Sequence, residues 1–436
     1  MRSGTLRPVA LAGVAVLAAG VVLAGCGKAD TGGGGTTGGN GGGGELTLWT
    51  HNAGNKEELA VVNQIVADYN AQGKTKVKVQ AFPQASYNDA VVAAATAKKL
   101  PCILDTDAPT VPAWAFAGYL AELNLPQDMV GKQLPSTLGK YQDKLYSIGY
   151  YDAALAIFAR KSALTAAGAR IPTIDKPWTA AEFDQVLAKI KAVGKYPIAF
   201  DLGTGDTGTE WWTYAYSPFL QSFGGDLINR TDYKSADGVL NGDKAKAWAA
   251  WVQGLIKNGY TPKKSGKDAF VDFVNGKSAM VWSGIWSTAN MTKLGSDGVI
   301  LPPPDFGTGP KIGGGSWQWA ISATCSNKDA ALDYLKFSLN PKYLAQFSIK
   351  QNVVPATDEA AALTPGWKVG EPKRFFLDES KKFALIRPPT PGYPYLTTTF
   401  AKATQDIVSG GDANQILDRA AKDIDTNFKS NNYYQS

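Results

Sequence analysis

The sequence is poor in the residues that hold metals or act as nucleophiles. It contains one histidine, His51, and 3 cysteines among 436 residues. Zinc sites and histidine-activated nucleophiles need clusters of such side chains, so we expect no metal site and no catalytic residue of that kind. No glycine-rich phosphate-binding pattern opens a predicted helix, so we also expect no nucleotide and no other cofactor.

Charge and long apolar runs are also limited. The formal charge is +6, of which Arg2 and Arg7 contribute two, and the other Lys and Arg residues are scattered along the chain. This pattern does not predict a nucleic-acid-binding surface. After residue 24 no segment is long and apolar enough to span a bilayer, so we expect the body of the protein to be soluble.

The first 26 residues have the organisation of an export signal. Arg2 and Arg7 precede an apolar stretch at 9–24, which is short for a membrane span but typical of a signal-peptide core. It ends in the sequence LAGC, which resembles the lipobox of bacterial lipoproteins and predicts lipidation of Cys26. The alternatives are an ordinary signal peptide with a cysteine at its cleavage site, or an uncleaved membrane anchor.

A glycine-rich segment follows Cys26. Glycine occupies 11 of the 18 positions at 27–44, so this segment cannot bury apolar surface and predicts a flexible tether. Its expected average reach is about 20 to 25 Å. We therefore expect the folded part to stand on the outer face of the cytoplasmic membrane.

Export also bears on the two remaining cysteines, Cys102 and Cys325. An oxidising compartment favours a disulfide between them, and two free buried thiols are the alternative.

Length and aromatic content indicate a large binding protein. About 390 residues follow the tether, more than one core normally serves, so we expect two domains. The chain has 12 Trp and 18 Tyr. Aromatic rings with polar edges suit ligands that have flat C–H faces and many hydroxyls.

Hydrophobic periodicity predicts an α/β fold with parallel strands. Strands at 45–50, 77–81 and 102–107 alternate with helices at 56–70 and 87–100. Later segments continue the alternation, with helices at 179–190 and 243–257 and strands at 196–201 and 278–282. Ligands of such sheets lie at the carboxyl ends of the strands, which points to 49–52, 105–107 and the glycine-rich 201–208.

One stretch of the sequence resembles the signature of a known protein family. The sequence DFVNGKSAMVWSGIW at 272–286 resembles a signature of the extracellular solute-binding proteins of ABC importers, the family that includes maltose- and multiple-sugar-binding proteins. Supporting segments lie in the family's order at 100–120, 144–168, 178–183, 222–228, 313–328 and 409–428.

The resemblance implies a two-lobed architecture and a mode of action. The expected fold is two-lobed, of the type II periplasmic-binding-protein kind, each lobe a mostly parallel sheet flanked by helices. We expect an N-terminal lobe of 45–151 plus 313–362, and a C-terminal lobe of 152–312 plus 363–436. A monomer would bind its ligand in the cleft between lobes, and a membrane permease would recognise the closed form.

The resemblance also implies candidate ligand contacts, since a sugar site needs aromatic faces together with carboxylates and amides. Core packing is the alternative for the rings, helix capping for the two aspartates, and a structural hydrogen bond for the histidine. The candidates are His51, Asn52, Asp107, Asp152, Glu210, Trp211, Trp286, Trp317 and Tyr393. In the family's fold the places of Cys102 and Cys325 lie on neighbouring antiparallel strands, which favours the disulfide.

The expected function is capture of a mono- or oligosaccharide for an ABC transporter, without catalysis. A binding protein for another small polar solute is the first alternative. A secreted glycosidase, which would need two carboxylates across a scissile bond, and a surface protein that binds without transport are the others.

Overall fold

The computed structural model describes residues 44–206 and 208–434. The described residues form one compact unit. The predictions for the signal peptide and Cys26, and nearly all of the tether, lie outside the described residues. Among the described helices, none combines the length and apolar character that crossing a membrane requires.

The described strands are mostly short, with burial alternating or complete along them. Their bounds are β1 Leu46–Thr50, β2 Val77–Ala81, β3 Ile103–Asp107, β4 Leu138–Tyr141, β5 Lys144–Gly149, β6 Tyr151–Asp152, β7 Leu155–Arg160, β8 Ile198–Asp201, β9 Ser278–Gly284, β10 Gly298–Leu301, β11 Ile312–Gly314, β12 Trp317–Ile321, β13 Val354–Pro355 and β14 Ala384–Ile386.

Helices connect and cover these strands. The α-helices are α1 Lys56–Asn70, α2 Gln84–Thr96, α3 Val111–Phe116, α4 Gln127–Val130, α5 Lys161–Ala166, α6 Ala180–Val193, α7 Thr209–Phe223, α8 Asp243–Lys257, α9 Ala269–Val274, α10 Lys328–Ser338, α11 Pro341–Gln351, α12 Asp358–Ala362, α13 Arg374–Phe383, α14 Tyr393–Ser409 and α15 Ala413–Ser430. Short 3₁₀ segments are Ala108–Thr110, Pro135–Thr137, Ile285–Asp297 and Asn432–Tyr434.

Local signals explain where several helices begin. The Thr179 side chain accepts from the backbone N–H of Glu182 while the Glu182 carboxylate accepts from that of Thr179, so the predicted capping box opens α6. Helices α1 and α8 have the predicted bounds. Helix α2 begins earlier than predicted, directly after Pro83, and ends at Thr96 because the chain turns into the left-handed region at Lys98.

The six-stranded sheet has the order β2-β1-β3-β12-β5-β4. Strand β1 is parallel to both β2 and β3, as the sequence predicted. Strand β12 returns from far along the chain and lies antiparallel between β3 and β5, with Trp317 opposite Asp107.

The four-stranded sheet has the order β10-β7-β9-β8, in which β8 and β9 are parallel and the other pairs antiparallel. The α/β class is confirmed. Both sheets, however, contain antiparallel as well as parallel pairs of strands, and the expectation of mostly parallel pairing is wrong. The returning strand β12 is one cause. The other is the β4–β5 hairpin, whose two turn residues Gln142 and Asp143 both have positive φ, and hairpins impose antiparallel pairing.

Two pairs of short strands stand apart from the two larger sheets. Strand β11 pairs with β14 in parallel, and β6 pairs with β13 in the antiparallel sense. These pairs matter for the site because Asp152 ends β6 and Arg387 directly follows β14.

Hydrophobic cores accompany each sheet. One cluster packs around the four-stranded sheet and includes Phe158, Trp282 and Phe400. Two further clusters, one around Tyr150 and Trp319 and one around Tyr87 and Trp114, pack against the six-stranded sheet. At the edge of that core the structure joins Cys102 and Cys325 in a disulfide, just before β3 and just after β12.

Candidate functional site

A buried arginine, Arg387, joins predicted site residues from distant parts of the chain. Its Nη1 donates to Oε1 of Glu210, in the first turn of α7. Its Nη2 donates to the carbonyl of Gly315 at 2.8 Å and lies 3.5 Å from Oδ1 of Asp107, the last residue of β3. Tyr393, the first residue of α14, donates its hydroxyl to Glu210 Oε1 at 2.5 Å. We call these four side chains the Arg387 cluster: Asp107, Glu210, Arg387 and Tyr393.

Asp152 adjoins this cluster through the backbone. Its Oδ1 accepts from the backbone N–H of Gly315 at 3.0 Å and of Ala153 at 2.8 Å, and its Oδ2 accepts from the Ser136 hydroxyl at 2.5 Å. Burial raises the pKa of Asp152, and these hydrogen bonds oppose the rise. The carboxylate therefore fixes the turn that presents the Gly315 carbonyl to Arg387.

Burial and crowding of charge act on Asp107. Burial is the largest effect and raises the pKa of the Asp107 carboxyl, Arg387 opposes the rise, and the neighbouring Glu210 adds to it, giving a pKa of about 6. One guanidinium serves two carboxylates, so neither is fully compensated.

Tyr214 links the Arg387 cluster to an aromatic groove. It lies one helical turn after Glu210 on α7, and the Arg387 guanidinium carbon sits 5.0 Å from the centre of its ring. The same ring is 6.3 Å from that of Trp286. The Tyr214 hydroxyl is buried and has no hydrogen-bond partner within the part of the chain that the structure describes.

The aromatic groove is a cavity of about 380 Å³ that brings together two predicted residues, Trp211 and Trp286. Trp286 is 44% exposed, which is unusual for so large a ring and rules out the alternative of a core ring. Its position follows from Gly284, where a side chain would overlap the Trp286 ring. Its other lining residues include the polar Asp206, Lys267, Asp268 and Asn290 and the apolar Phe270 and Trp282.

The glycine-rich loop that borders the groove is held in place, although a flexible loop was one interpretation of its sequence. Asp201 accepts from the backbone N–H of Gly203 at 2.9 Å and from the Ser265 hydroxyl. Trp211 donates its indole N–H to the Gly203 carbonyl at 3.2 Å. Gly203 has φ of 67°, and a side chain there would meet the Trp211 ring at 3.1 Å, so glycine is required.

His51 lies beneath the site in a network of buried carboxylates. Its Nδ1 contacts Asp105 Oδ2, and its Nε2 lies 3.7 Å from Glu58 Oε2. Burial alone would lower the pKa of His51, but the charge and hydrogen bond of Asp105, together with Glu58, outweigh burial and raise it. Burial also raises the pKa of Glu58. The imidazole is only 4% exposed, so it does not face the solvent.

The His51 ring stacks on Trp317, the first residue of β12. The two rings stack with centroids 3.5 Å apart and planes at 4°. Because Trp317 pairs with Asp107 across the sheet, this stack sets the position of an indole beside the Arg387 cluster. Asn52 is buried next to His51, and neither polar atom of its side chain has a hydrogen-bond partner among residues 44–206 and 208–434.

The structure therefore brings most of the predicted residues into adjoining groups, and it adds two that the sequence reasoning missed, Arg387 and Tyr214. The sequence offers one weak indication of Arg387, which directly precedes the proline-rich segment that contains the predicted contact Tyr393. Tyr214 could have been found from the helical spacing that places it one turn after Glu210.

A further cavity, of about 720 Å³, adjoins Arg387 on the side of the β4–β5 hairpin and the C-terminus. None of the predicted site residues lines it. Within residues 44–206 and 208–434 no group of three or more potential ligand side chains could hold a metal ion.

The architecture and the site define a class of protein: an α/β binding protein whose polar and aromatic site lies at strand and helix ends. Structural comparison agrees. A crystal structure of a cyclic alpha-maltosyl-1,6-maltose binding protein from Arthrobacter globiformis is similar with a TM-score of 0.73 and 23% identity, over 88% of this chain and 99% of that one. The fold is thus the two-lobed type II periplasmic-binding-protein fold.

Sequence comparison identifies the family. The family model described as bacterial extracellular solute-binding protein matches residues 64–373, and the chain belongs to this family. An uncharacterised lipoprotein from Streptomyces antibioticus is 24% identical over 71% of this chain and 70% of its own length. The diacetylchitobiose binding protein DasA of Streptomyces coelicolor is 22% identical over 79% of this chain and 81% of its own length.

Proposed function

We propose that this protein captures a carbohydrate outside the cell and delivers it to the permease of an ABC importer. The observation that carries the proposal is the groove that Trp211 and Trp286 both line. Tyr214 connects this groove to the Arg387 cluster, because its ring lies beside both Trp286 and Arg387. Exposed indole faces pack on the C–H faces of sugar rings, and the adjacent carboxylates accept hydrogen bonds from hydroxyls. The names of the related binding proteins support the same ligand class.

The proposal includes closure of two lobes, 45–151 plus 313–362 and 152–312 plus 363–436. The six strands of the larger sheet lie in the first set of residues and the four strands of the other in the second. Asp107 and Trp317 would then approach the ligand from one lobe, and Glu210, Trp211 and Trp286 from the other. A ligand that contacts both sets stabilises the closed form, which a permease can recognise.

The proposal also includes a lipid anchor on Cys26 that holds the protein at the outer face of the cytoplasmic membrane. Membership of an extracellular family and likeness to a lipoprotein support this location. Metabolic labelling with palmitate should mark the wild-type protein and leave Cys26→Ala unlabelled. Release of Cys26→Ala into the medium, with wild type retained on cells, is the matching result; equal retention of both would contradict the anchor.

The binding proposal is tested by tryptophan fluorescence and melting temperature with mono-, di- and oligosaccharides, using amino acids and phosphate as comparison solutes. A ligand at 100 times its dissociation constant should add about 2.7 kcal/mol to the free energy of unfolding. Trp286→Ala should abolish the response at the same ligand concentration. Because the Trp286 ring is 44% exposed, its removal should leave the ligand-free melting temperature nearly unchanged.

Two controls separate ring contact from general damage. Trp286→Phe keeps a flat face and should retain part of the affinity. Phe116→Ala removes another ring that is 41% exposed and lies outside the groove, and it should bind like wild type. A response to an amino acid or another non-sugar solute, with none to any carbohydrate, would assign a different ligand to the same fold.

We propose binding without turnover, in keeping with a family that is described as solute-binding. Asp107 and Glu210 both contact the Arg387 guanidinium, and we expect them to accept hydrogen bonds from ligand hydroxyls rather than to act as an acid and base pair. Product analysis after incubation with the same oligosaccharides checks this directly. Any cleavage that depends on Asp107 and Glu210 would favour a glycoside-active enzyme.

A further inference from the structure

Negative charge exceeds positive charge where the ligand would lie. Among the described side chains, Arg387 is the cation in contact with Asp107 and Glu210. Its side chain is 5% exposed, whereas those of Asp107 and Glu210 are 19% and 35% exposed. A solute that approaches this cluster therefore meets carboxylate oxygens before it meets the guanidinium.

The aromatic groove repeats this imbalance. Asp206 and Asp268 both line it, and Lys267 is the one basic residue among the lining side chains that the structure describes. The whole chain carries a formal charge of +6, so the acidity is local to the site.

The buried Tyr214 hydroxyl is a second, independent polar group beside the two carboxylates. Among the described residues it has no hydrogen-bond partner, and its charged neighbours include Asp152, Arg387 and Asp107. A buried hydroxyl left unpaired loses the hydrogen bonds it would make in water, and a ligand polar atom at this place would restore one of them. The hydroxyl therefore points to a polar ligand group next to the carboxylates.

We propose that the carbohydrate bound at this site carries a protonated amine that contacts Asp107, and that sugars bearing a carboxylate or phosphate are rejected. The inference rests on the proposed function. Asp107 is the less compensated partner, since Arg387 lies 3.5 Å from it and donates to Glu210 and Gly315 as well. An ammonium group supplies the counter-charge that the cluster lacks.

The same geometry disfavours an acidic ligand. Arg387 is enclosed, and turning it toward a ligand anion would break its bonds to Glu210 and Gly315. An anionic group would also be repelled by Asp107 and Glu210 at close range, where little water intervenes to screen the charges.

The test is titration calorimetry with matched hexoses. The glucose, galactose and mannose series each offer a hydroxyl, an amino, an N-acetylamino and a uronic acid member, and chitobiose, diacetylchitobiose and cellobiose extend the comparison to disaccharides. In a series that binds, the amino member should bind at least about tenfold more tightly than the hydroxyl member, equivalent to ~1.4 kcal/mol. The uronic acid member should bind more weakly than both.

Asp107→Asn should abolish the preference for the amine, so that the amino and hydroxyl members of the series bind the variant with similar affinity. The matched control is Asp89→Asn, which removes an exposed carboxylate on α2 that makes no hydrogen bond or ion pair with the described residues. In wild type, added salt should reduce the affinity of the amino member more than that of the hydroxyl member, a result that does not depend on any variant.

The possible failures can be told apart. If a hydroxyl or uronic acid member binds as tightly as its amine, or if Asp107→Asn keeps the preference, the inference is wrong and the proposed function stands. If no carbohydrate binds while another solute does, the proposed function fails and the inference falls with it.

Discussion

Arg387→Met should destabilise the folded protein more than any ordinary surface substitution. Methionine approximates the length of the arginine stem but removes the charge shared by Asp107 and Glu210 and the hydrogen bond to the Gly315 carbonyl. Breaking a buried ion pair by removing one partner typically costs about 3 to 5 kcal/mol, because the remaining charge stays buried without compensation. Since Glu210 is partly exposed, we take the lower figure, ~3 kcal/mol.

This cost converts into a measurable change in melting temperature. For a unit of about 390 residues, an unfolding entropy of ~2.1 cal/mol/K per residue gives ~0.8 kcal/mol/K, so ~3 kcal/mol corresponds to ~4 °C. The matched control is Arg374→Met, which removes a surface pair with Asp378 on α13. Such pairs contribute at most about 1 kcal/mol, or ~1 °C here.

The pH dependence gives a second readout. The pKa of Asp107 is about 6 in the folded protein against an ordinary 3.8, so the folded form binds this proton more tightly and stability falls as pH rises from 3.8 to about 6. Without Arg387 the pKa of Asp107 should rise further, which extends this loss to higher pH. The melting difference between wild type and Arg387→Met should therefore shrink on acidification. A deficit no larger than that of Arg374→Met, or one independent of pH, would refute the reasoning.

Three other predictions follow from particular contacts. Replacing both cysteines of the disulfide with serine should lower the free energy of unfolding by up to ~5 kcal/mol, because the bond closes a loop over 223 residues, and the melting temperature should fall accordingly. A reducing agent should bring wild type to the same melting temperature without affecting the variant. The pKa of His51 is raised above 6.5, so the stabilisation that its protonated form gives is complete below pH 6.5 and is lost as pH rises through the raised pKa. His51→Gln should flatten this part of the plot of melting temperature against pH, and an unchanged slope would contradict the raised pKa. Gly313→Ala should destabilise the protein because its new side chain would lie 2.6 Å from the Tyr214 ring. Gly254→Ala inside helix α8, where the new side chain has nothing within 4 Å, should instead raise the free energy of unfolding by about 0.5 to 1 kcal/mol, and equal effects would show that the close approach is unimportant.

Sequence patterns predicted most of the local structure because those signals are local. Helices α1 and α8 have apolar residues at helical spacing, and α6 has a capping box, so their positions do not depend on distant residues. The parallel arrangement of β1, β2 and β3 followed from the alternation of strands and helices. The place of β12 between β3 and β5 did not, because pairing between strands more than 160 residues apart leaves no local pattern.

By itself the sequence determined the α/β class, the excess of aromatic residues, the scarcity of metal-binding residues and a set of polar and aromatic candidates. These properties depend on composition and on spacing along a short stretch of chain. Tertiary structure alone decided that Arg387 compensates Asp107 and Glu210, that Trp211 and Trp286 share one groove, and that His51 is buried beneath Trp317. Burial and charge compensation depend on which distant segments pack together, and that packing is what turns separate candidates into a site.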